Sequence, residues 1–458
     1  MPKLEFDTEL ITRYDTAGPR YTSYPTANHF SASFDLPDYT NQAHLSNQGQ
    51  GPLSLYLHLP FCDTICFYCA CNKIVTKNRD RAQPYLDRLY KEIQIQSALF
   101  APERTVDQLH WGGGTPTFIS AAQMRQLMQV TRDHFELHED DQGEYSIEID
   151  PREADAQTIG LLRELGFNRI SLGVQDFNPQ VQKAVNRIQT VAQTEEVMCA
   201  AREQGFQSIS VDLIYGLPHQ SVASFHDTLQ TVLALSPDRL SVFNYAHLPE
   251  LFKTQRQINA EDLPSPQTKL AIMQDCIETL TQSGYVYIGM DHFAKPDDEL
   301  ARAQANQTLY RNFQGYSTHA ECDLIGLGVT SIGMLHDCYS QNQRNMDDYT
   351  AAIDQSVLPV MRGIVLNEDD KLRREVITSL ICHFSLSIST IEQRHKIVFE
   401  DYFASAYPQL RVMQQDGLLT FDKDRIDVTA RGSLLIRNIC MLFDKYLQPS
   451  QQRYSKVI

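Results

Sequence analysis

Four thiols fall within ten residues of this 458-residue chain: Cys62, Cys66, Cys69 and Cys71. The first three are spaced CxxxCxxC inside LSLYLHLPFCDTICFYCACNK, the stretch from Leu53 to Lys73. Thiols this crowded suit convergence on one metal centre, and thiolate ligation fits iron–sulfur clusters or zinc. Structural zinc usually draws on two separated ligand pairs. One compact group therefore favours an iron–sulfur cluster. Cys62, Cys66, Cys69 and Cys71 are the candidate thiols for that centre.

Other residues are candidates for chemistry around that loop. Tyr56 and His58 share one face of the run that enters it and form the candidate catalytic pair; the alternatives are a rim aromatic and a satisfied core histidine. The run Gly112-Gly113-Gly114 allows close backbone approach to a ligand, or simply a tight turn. Glu148 and Asp150 alternate with apolar residues, and a carboxylate on an inward face is costly if dry and unpaired. Gln175, Arg187, Asp212 and Ala246 carry weaker signals, and Arg187 reads equally well as one half of a surface ion pair.

A series of strands and helices must position these groups. Leu53, Leu55, Leu57 and Leu59 alternate with Ser54, Tyr56 and His58, which is the period of a strand. Strand-like runs recur at 106–111, 144–150, 169–175, 208–213 and 239–245, with a further one at 285–290. Helical stretches follow at 84–99, 121–135, 154–165, 191–204, 222–235 and 265–283. Six strand–helix units imply a parallel sheet, and a full barrel needs eight. The expected architecture is α/β, an incomplete, open (β/α)6 barrel. The cysteine loop, the glycine run, Gln175, Asp212 and Ala246 then lie at or just after strand C-terminal ends, the rim where such barrels carry their sites.

Residues 1–50 read as a mostly irregular N-terminal arm, with RYTSYPT at 20–26 either laid over the core or closing the active site. Residues 51–361 form the barrel and its extension. Beyond, at 362–458, helices at 369–384, 390–406 and 432–447 flank a hairpin around 422–425. That pattern suggests a small, mainly helical, winged-helix-like domain with a packing or lid role, since it has no dense basic stripe.

A hydrophobic fraction of 42% with 21% charged residues is that of a globular protein. The N-terminus has no signal-peptide core and no apolar run is long enough to span a membrane. Ten cysteines, four of them in a metal-like loop, point to a reducing compartment, so a cytoplasmic location is expected. The net charge of −17 disfavours nucleic acid and anionic membranes as partners and requires a local basic pocket for any anionic substrate.

The cysteine loop, with aromatic Tyr68 before its third cysteine, closely resembles that of the radical S-adenosylmethionine enzymes. Along nearly its full length the chain is similar to the bacterial oxygen-independent coproporphyrinogen III oxidases (dehydrogenases). RYTSYPT, YLHLPFCDTICFYCACNK, HWGGGTPT, SIEIDPRE, SLGVQDF, SVDLIYGLP, GMDHFA, RNFQGY and LIRNICMLFD carry that likeness. The resemblance implies one [4Fe–4S] cluster per chain on Cys62, Cys66 and Cys69, and two S-adenosylmethionine molecules. Tyr56, Tyr68, Gly112, Glu148 and Ile332 would line the first; Gly113, Gly114, Gln175, Arg187, Asp212 and Ala246 the second. It implies a 5′-deoxyadenosyl radical, and oxidative decarboxylation of two propionates of coproporphyrinogen III to the vinyls of protoporphyrinogen IX in anaerobic haem biosynthesis. Arg20, Arg311 and Arg344 are candidates to meet the substrate carboxylates. A flavodoxin-type electron donor and a monomer are expected. The competing reading is a haem-binding chaperone on the same scaffold, a relative that typically lacks the cysteine matching Cys71 and the RYTSYPT arm; both are present here.

Overall fold

In the computed structural model, which describes residues 4–447, the alternating leucines of Leu53–Leu59 are buried and form the central strand β1. Thr105–Gly113 (β2), Glu144–Ile149 (β3), Arg169–Gln175 (β4), Ser208–Tyr215 (β5) and Arg239–Asn244 (β6) follow in chain order. Each pairs in parallel with its predecessor, as six strand–helix units require. The connecting helices begin where short polar side chains cap them. Ser120 with Gln123, Thr190 with Gln193 and Ser221 with Ser224 form capping boxes ahead of Ala121–His134, Val191–Glu203 and Val222–Leu235.

On the far side of β1 the sheet continues through four strands that were not expected. Asp323–Leu327 (β7) pairs in parallel with the free edge of β1. Ile332–Leu335 (β8), Cys338–Asn342 (β9) and Val360–Val365 (β10) then continue antiparallel. Among these ten strands the order is β6-β5-β4-β3-β2-β1-β7-β8-β9-β10, and among the described residues β6 and β10 do not pair, so no barrel closes. β7 is short and glycine-bearing, and it enters the sheet without a helix before it, which hides it from a periodicity reading.

Two compact units divide the chain. One comprises Phe30–Ser265 and Glu321–Val365, the ten strands above; the other comprises the residues up to His29, Pro266–Ala320 and Leu366 onward. These limits differ from sequence borders at 50/51 and 361/362. Nor is the N-terminal stretch mostly irregular. Thr8–Tyr14 is a helix capped by Asp7, and Leu36–Gly49 starts in a capping box of Asp35 and Asp38 with a proline in its first turn.

In the second unit, Leu10, Tyr21 and Tyr24 of the N-terminal segment share a core with the C-terminal helices. Glu368–His383 is helical as expected. The helix expected at 390–406 is broken: Ile388–His395 stops at Lys396, φ 54°, before the short Phe399–Tyr402. Tyr407–Gln415, unexpected, is a further helix. The hairpin Leu419–Phe421/Arg425–Val428 forms and gains Ser385–Ser387 as a third strand. The closing helix contracts to a 3-10 turn, Gly432–Leu435, and Ile436–Met441.

Candidate functional site

Strand pairing sets one polar face on the sheet, spread over successive rows. Tyr56 stands opposite His110, His110 opposite Ser146, Glu148 opposite Ser171, and Gly173 opposite Asp212. The Tyr56 ring stacks on His110, centroids 5.8 Å apart. His110 lies 2.5 Å from the Ser146 hydroxyl through Nδ1 and 3.3 Å from Glu148 Oε1 through Nε2. The other Glu148 oxygen accepts from the Gly113 N–H at 3.0 Å. Burial alone would raise the Glu148 carboxyl; the bond and charge of His110 and the Gly113 N–H outweigh it and hold the group below the usual carboxylate range. Asp212 fares differently. Burial pushes it up to about 6 although the Ser171 and Ser241 hydroxyls bond it, because neutral donors do not offset the lost water. It lies inside β5, which runs to Tyr215, rather than at a strand end.

The tautomer of His58 follows from its neighbours. Nε2 lies 3.2 Å from the Asn72 carbonyl, which only accepts, so Nε2 carries the proton. Nδ1 therefore accepts from the Tyr56 hydroxyl at 3.0 Å. Burial lowers the pKa of His58, consistent with a neutral ring. The Tyr56–His58 pair thus ties the far end of the cysteine loop back to β1. Gly113, at φ 114°, packs against this ring: a Cβ there would lie 2.7 Å from the imidazole. A Cβ on Gly114 would lie 2.5 Å from the Phe61 carbonyl oxygen. The glycine run is thus required by the protein's own packing.

The cysteine loop leaves β1 and is held from several sides. The Thr115 hydroxyl donates to Cys62 Sγ at 3.7 Å. Thr254 and Lys73 donate to the Cys69 carbonyl, each at 3.0 Å, and Gln255 donates to the Tyr68 carbonyl at 3.0 Å. The Tyr68 side chain packs on Val181, Val185, Leu217, Tyr245 and Ile258. The thiol of Cys71 donates to Cys69, which lowers Cys69 and raises Cys71.

The thiols test what such a loop can hold. One tetrahedral zinc, with Zn–S near about 2.3 Å, brings its thiolates within about 4 Å of each other. A cluster instead takes its thiolates on separate irons, and three thiols in one short loop suit it.

Arg187 is the largest departure from a surface reading. It is buried. Nη1 donates to Asp150 Oδ2 at 2.9 Å and to Cys66 Sγ at 3.4 Å, and Nη2 donates to the Gly173 carbonyl. Its Nε is enclosed without a partner. Arg152 donates to the same Asp150 oxygen at 2.7 Å and to Cys66 Sγ at 3.7 Å. Burial would raise Asp150; the charge of Arg187 and the bonds and charge of Arg152 outweigh it and hold it below its ordinary value. Two guanidiniums thereby face a thiol that must be a thiolate to bind iron.

Gln175 ends β4 at φ 70°, and its Oε1 is enclosed without a partner. Ala246 is exposed, and its carbonyl accepts from Gln255 at 3.2 Å. Ile332 opens β8, its backbone packed against Gly326. Of the three arginines considered for carboxylates, Arg20 pairs with Asp291 at 2.6 Å and Arg344 is exposed; Arg311 is buried. Sequence reasoning overlooked Arg152, Thr115, Thr254 and Gln255. Thr115 was legible as the residue after the glycine run, and Arg152 as the neighbour of Asp150; nothing local marks Thr254 or Gln255.

Comparison with known proteins adds an independent view. Residues 56–232 match the radical SAM superfamily and residues 366–435 the HemN C-terminal domain. An oxygen-independent coproporphyrinogen III oxidase of Pseudomonas aeruginosa is 55% identical over 99% of both chains. One of Escherichia coli is 51% identical over 100% of this chain and 99% of its own. The solved structure of coproporphyrinogen III oxidase (HemN) from Escherichia coli, described as a radical SAM enzyme, superposes with a TM-score of 0.93 at 50% identity, covering 97% of this chain and 100% of that one.

Proposed function

We propose, from the premise that this chain belongs to the oxygen-independent coproporphyrinogen III oxidases of the radical SAM superfamily, that Cys62, Cys66 and Cys69 hold one [4Fe–4S] cluster beside a rim that takes two S-adenosylmethionine molecules. The chain is an oxidoreductase of anaerobic porphyrin biosynthesis, converting coproporphyrinogen III to protoporphyrinogen IX. Each of two propionates loses a hydrogen atom to the 5′-deoxyadenosyl radical, then carbon dioxide and one electron, which passes to a one-electron acceptor, and becomes a vinyl. When bound, the cluster supplies one-electron reduction of S-adenosylmethionine and, through it, hydrogen-atom abstraction from a propionate. Relatives that match end to end are named as oxidases, and no observation favours the haem-chaperone reading.

The chain's own groups bind and orient. Tyr56, Tyr68, Gly112, Glu148 and Ile332 line the first S-adenosylmethionine in this reading. Glu148, kept as an anion by His110 and Gly113, is suited to accept hydrogen bonds from that cofactor's cationic or hydroxyl groups. Tyr56 and His58 act beside the reacting atoms, the hydroxyl oriented by the imidazole. Gly113, Gly114, Gln175, Arg187, Asp212 and Ala246 line the second molecule. The enclosed Nε of Arg187 and Oε1 of Gln175 support this, since they are a donor and an acceptor the protein leaves unused. Arg187 suits a methionine carboxylate, and Asp212 suits ribose hydroxyls. A flavodoxin-type donor, a monomeric state and a cytoplasmic location complete the proposal. In its support, no helix of the described residues is long and apolar enough to cross a membrane.

The observation that supports this most is the three-thiol loop in which Cys66 is faced by two guanidiniums, those of Arg152 and Arg187. The test is anaerobic reconstitution followed by a reduced assay for protoporphyrinogen. Wild type should turn over. Cys62→Ser, Cys66→Ser and Cys69→Ser should lose both iron and activity. A reconstituted wild type that binds only one S-adenosylmethionine in equilibrium dialysis would remove the second site.

A further inference from the structure

Arg311 stands opposite Tyr316 in the hairpin Tyr310–Asn312/Gly315–Ser317. Its guanidinium lies over the Tyr316 ring, 4.7 Å from the centroid. That ring is clamped: His292 meets it edge-on at 5.2 Å, and its hydroxyl donates to the Ile381 carbonyl at 3.2 Å. The Arg311 side chain is therefore fixed, with the residue 7% exposed. Nε and Nη1 are enclosed and have no hydrogen-bond partner. Among the described residues no carboxylate pairs with this guanidinium.

The surroundings add positive charge. Asp291, the acid of this neighbourhood, is already bonded by Arg20 at 2.6 Å. Arg437 is buried and donates to the Pro19 carbonyl at 3.0 Å and to the Gly18 carbonyl. Burial first, then the charge of Arg20, with Arg311 acting in the same sense, lowers Arg437 to about 10. Arg20 and Arg311 thus both add positive charge around Arg437, in a chain whose net charge is −17. A buried cation without an anion is unfavourable, and the ring beneath it offsets only part of the lost hydration. A fixed, desolvated and unanswered guanidinium is matched to an incoming carboxylate, which its fork can take through two parallel bonds.

We propose that Arg311 binds a propionate carboxylate of the porphyrinogen substrate, with Arg20 and Arg437 supplying the surrounding positive field. This rests on the porphyrinogen reading above, and the test separates the two. Coproporphyrin III, the stable oxidised macrocycle, is the probe, and its tetramethyl ester is the uncharged control; binding to the reconstituted protein is followed by fluorescence. Arg311→Gln should bind coproporphyrin III about 30-fold more weakly or worse, the usual scale for removing one partner of a desolvated charge pair. Ester binding, iron and sulfide content, and S-adenosylmethionine binding should not change. Unliganded Arg311→Met should melt no lower than wild type, because no protein partner loses a bond. Equal coproporphyrin affinity in folded Arg311→Gln, an equal loss for the ester, or a lower melting midpoint for Arg311→Met would each overturn the assignment. A wild type that binds neither compound would overturn the porphyrinogen reading itself.

Discussion

Asp150 and Glu92 are both buried carboxylates of the ten-strand unit, 9% and 0% exposed, and their environments drive them in opposite directions. Asp150 lies between Arg152 and Arg187 and is held ionised. Glu92, on the helix Ala82–Ser97, accepts from the Gly328 N–H at 2.8 Å, the Tyr349 hydroxyl at 2.6 Å and the Asn342 amide at 2.7 Å. Those three donors satisfy its geometry, yet burial still pushes it up to about 7. Neutral donors answer the lone pairs; only a cation answers the charge. The difference matches what each group does. Asp150 fixes two cations against Cys66. Glu92 pins the turn after β7, next to Val329, whose N–H meets the Tyr85 hydroxyl that also bonds the His58 carbonyl.

Removing one partner from the ionic region should have the largest effect. Asp150→Ala strands two guanidiniums, and a loss of about 3–5 kcal/mol is expected in urea unfolding of the cluster-free protein. A loss under about 1 kcal/mol would mean that Cys66 and the Gly173 carbonyl suffice for Arg187, and the contrast with Glu92 would fail. Next is Arg187→Ala. It leaves Asp150 with Arg152, so the fold and the cluster should persist while the proposed second S-adenosylmethionine binds about 2–5 kcal/mol more weakly. Two undiminished sites by dialysis would separate Arg187 from cofactor binding.

The neutral region is tested by pH. Glu92 has a folded pKa near 7, above its ordinary 4.5. Its contribution to stability is then complete below about 4.5 and lost as the pH rises through 7, about 3 kcal/mol in all. Wild type should therefore lose stability relative to Glu92→Gln between pH 5 and pH 8. A constant difference would show that three neutral donors can hold a buried charge, and the distinction from Asp150 would disappear. The smallest effect is expected at Cys71, which is exposed. Cys71→Ser should reconstitute with unchanged iron and sulfide, since the fourth iron needs no protein ligand; loss of the cluster would make Cys71 a fourth ligand.

Much of this molecule is decided within a few residues of chain, and that much was legible. CxxxCxxC puts three thiols in one loop wherever the loop lies. The leucines of β1 and the caps Ser120, Thr190 and Ser221 act over one to four positions, so the six strand–helix units follow from period and punctuation. Alternation alone put Glu148 on the polar face of its strand. Tertiary structure decided what depends on partners far away in sequence. Arg187 meets Asp150 across 37 positions, and no local pattern separates that buried pair from a surface one. Arg437 reaches the Pro19 carbonyl across 418 positions, which is how the N-terminal segment joins the core of the C-terminal helices. β7 exists because β1 has a free edge to offer it. Whether Arg311 has a partner is likewise a fact about its whole surroundings. Periodicity and capping are near-neighbour interactions, whereas burial, and with it the charge state of a side chain, is set by everything that packs around it.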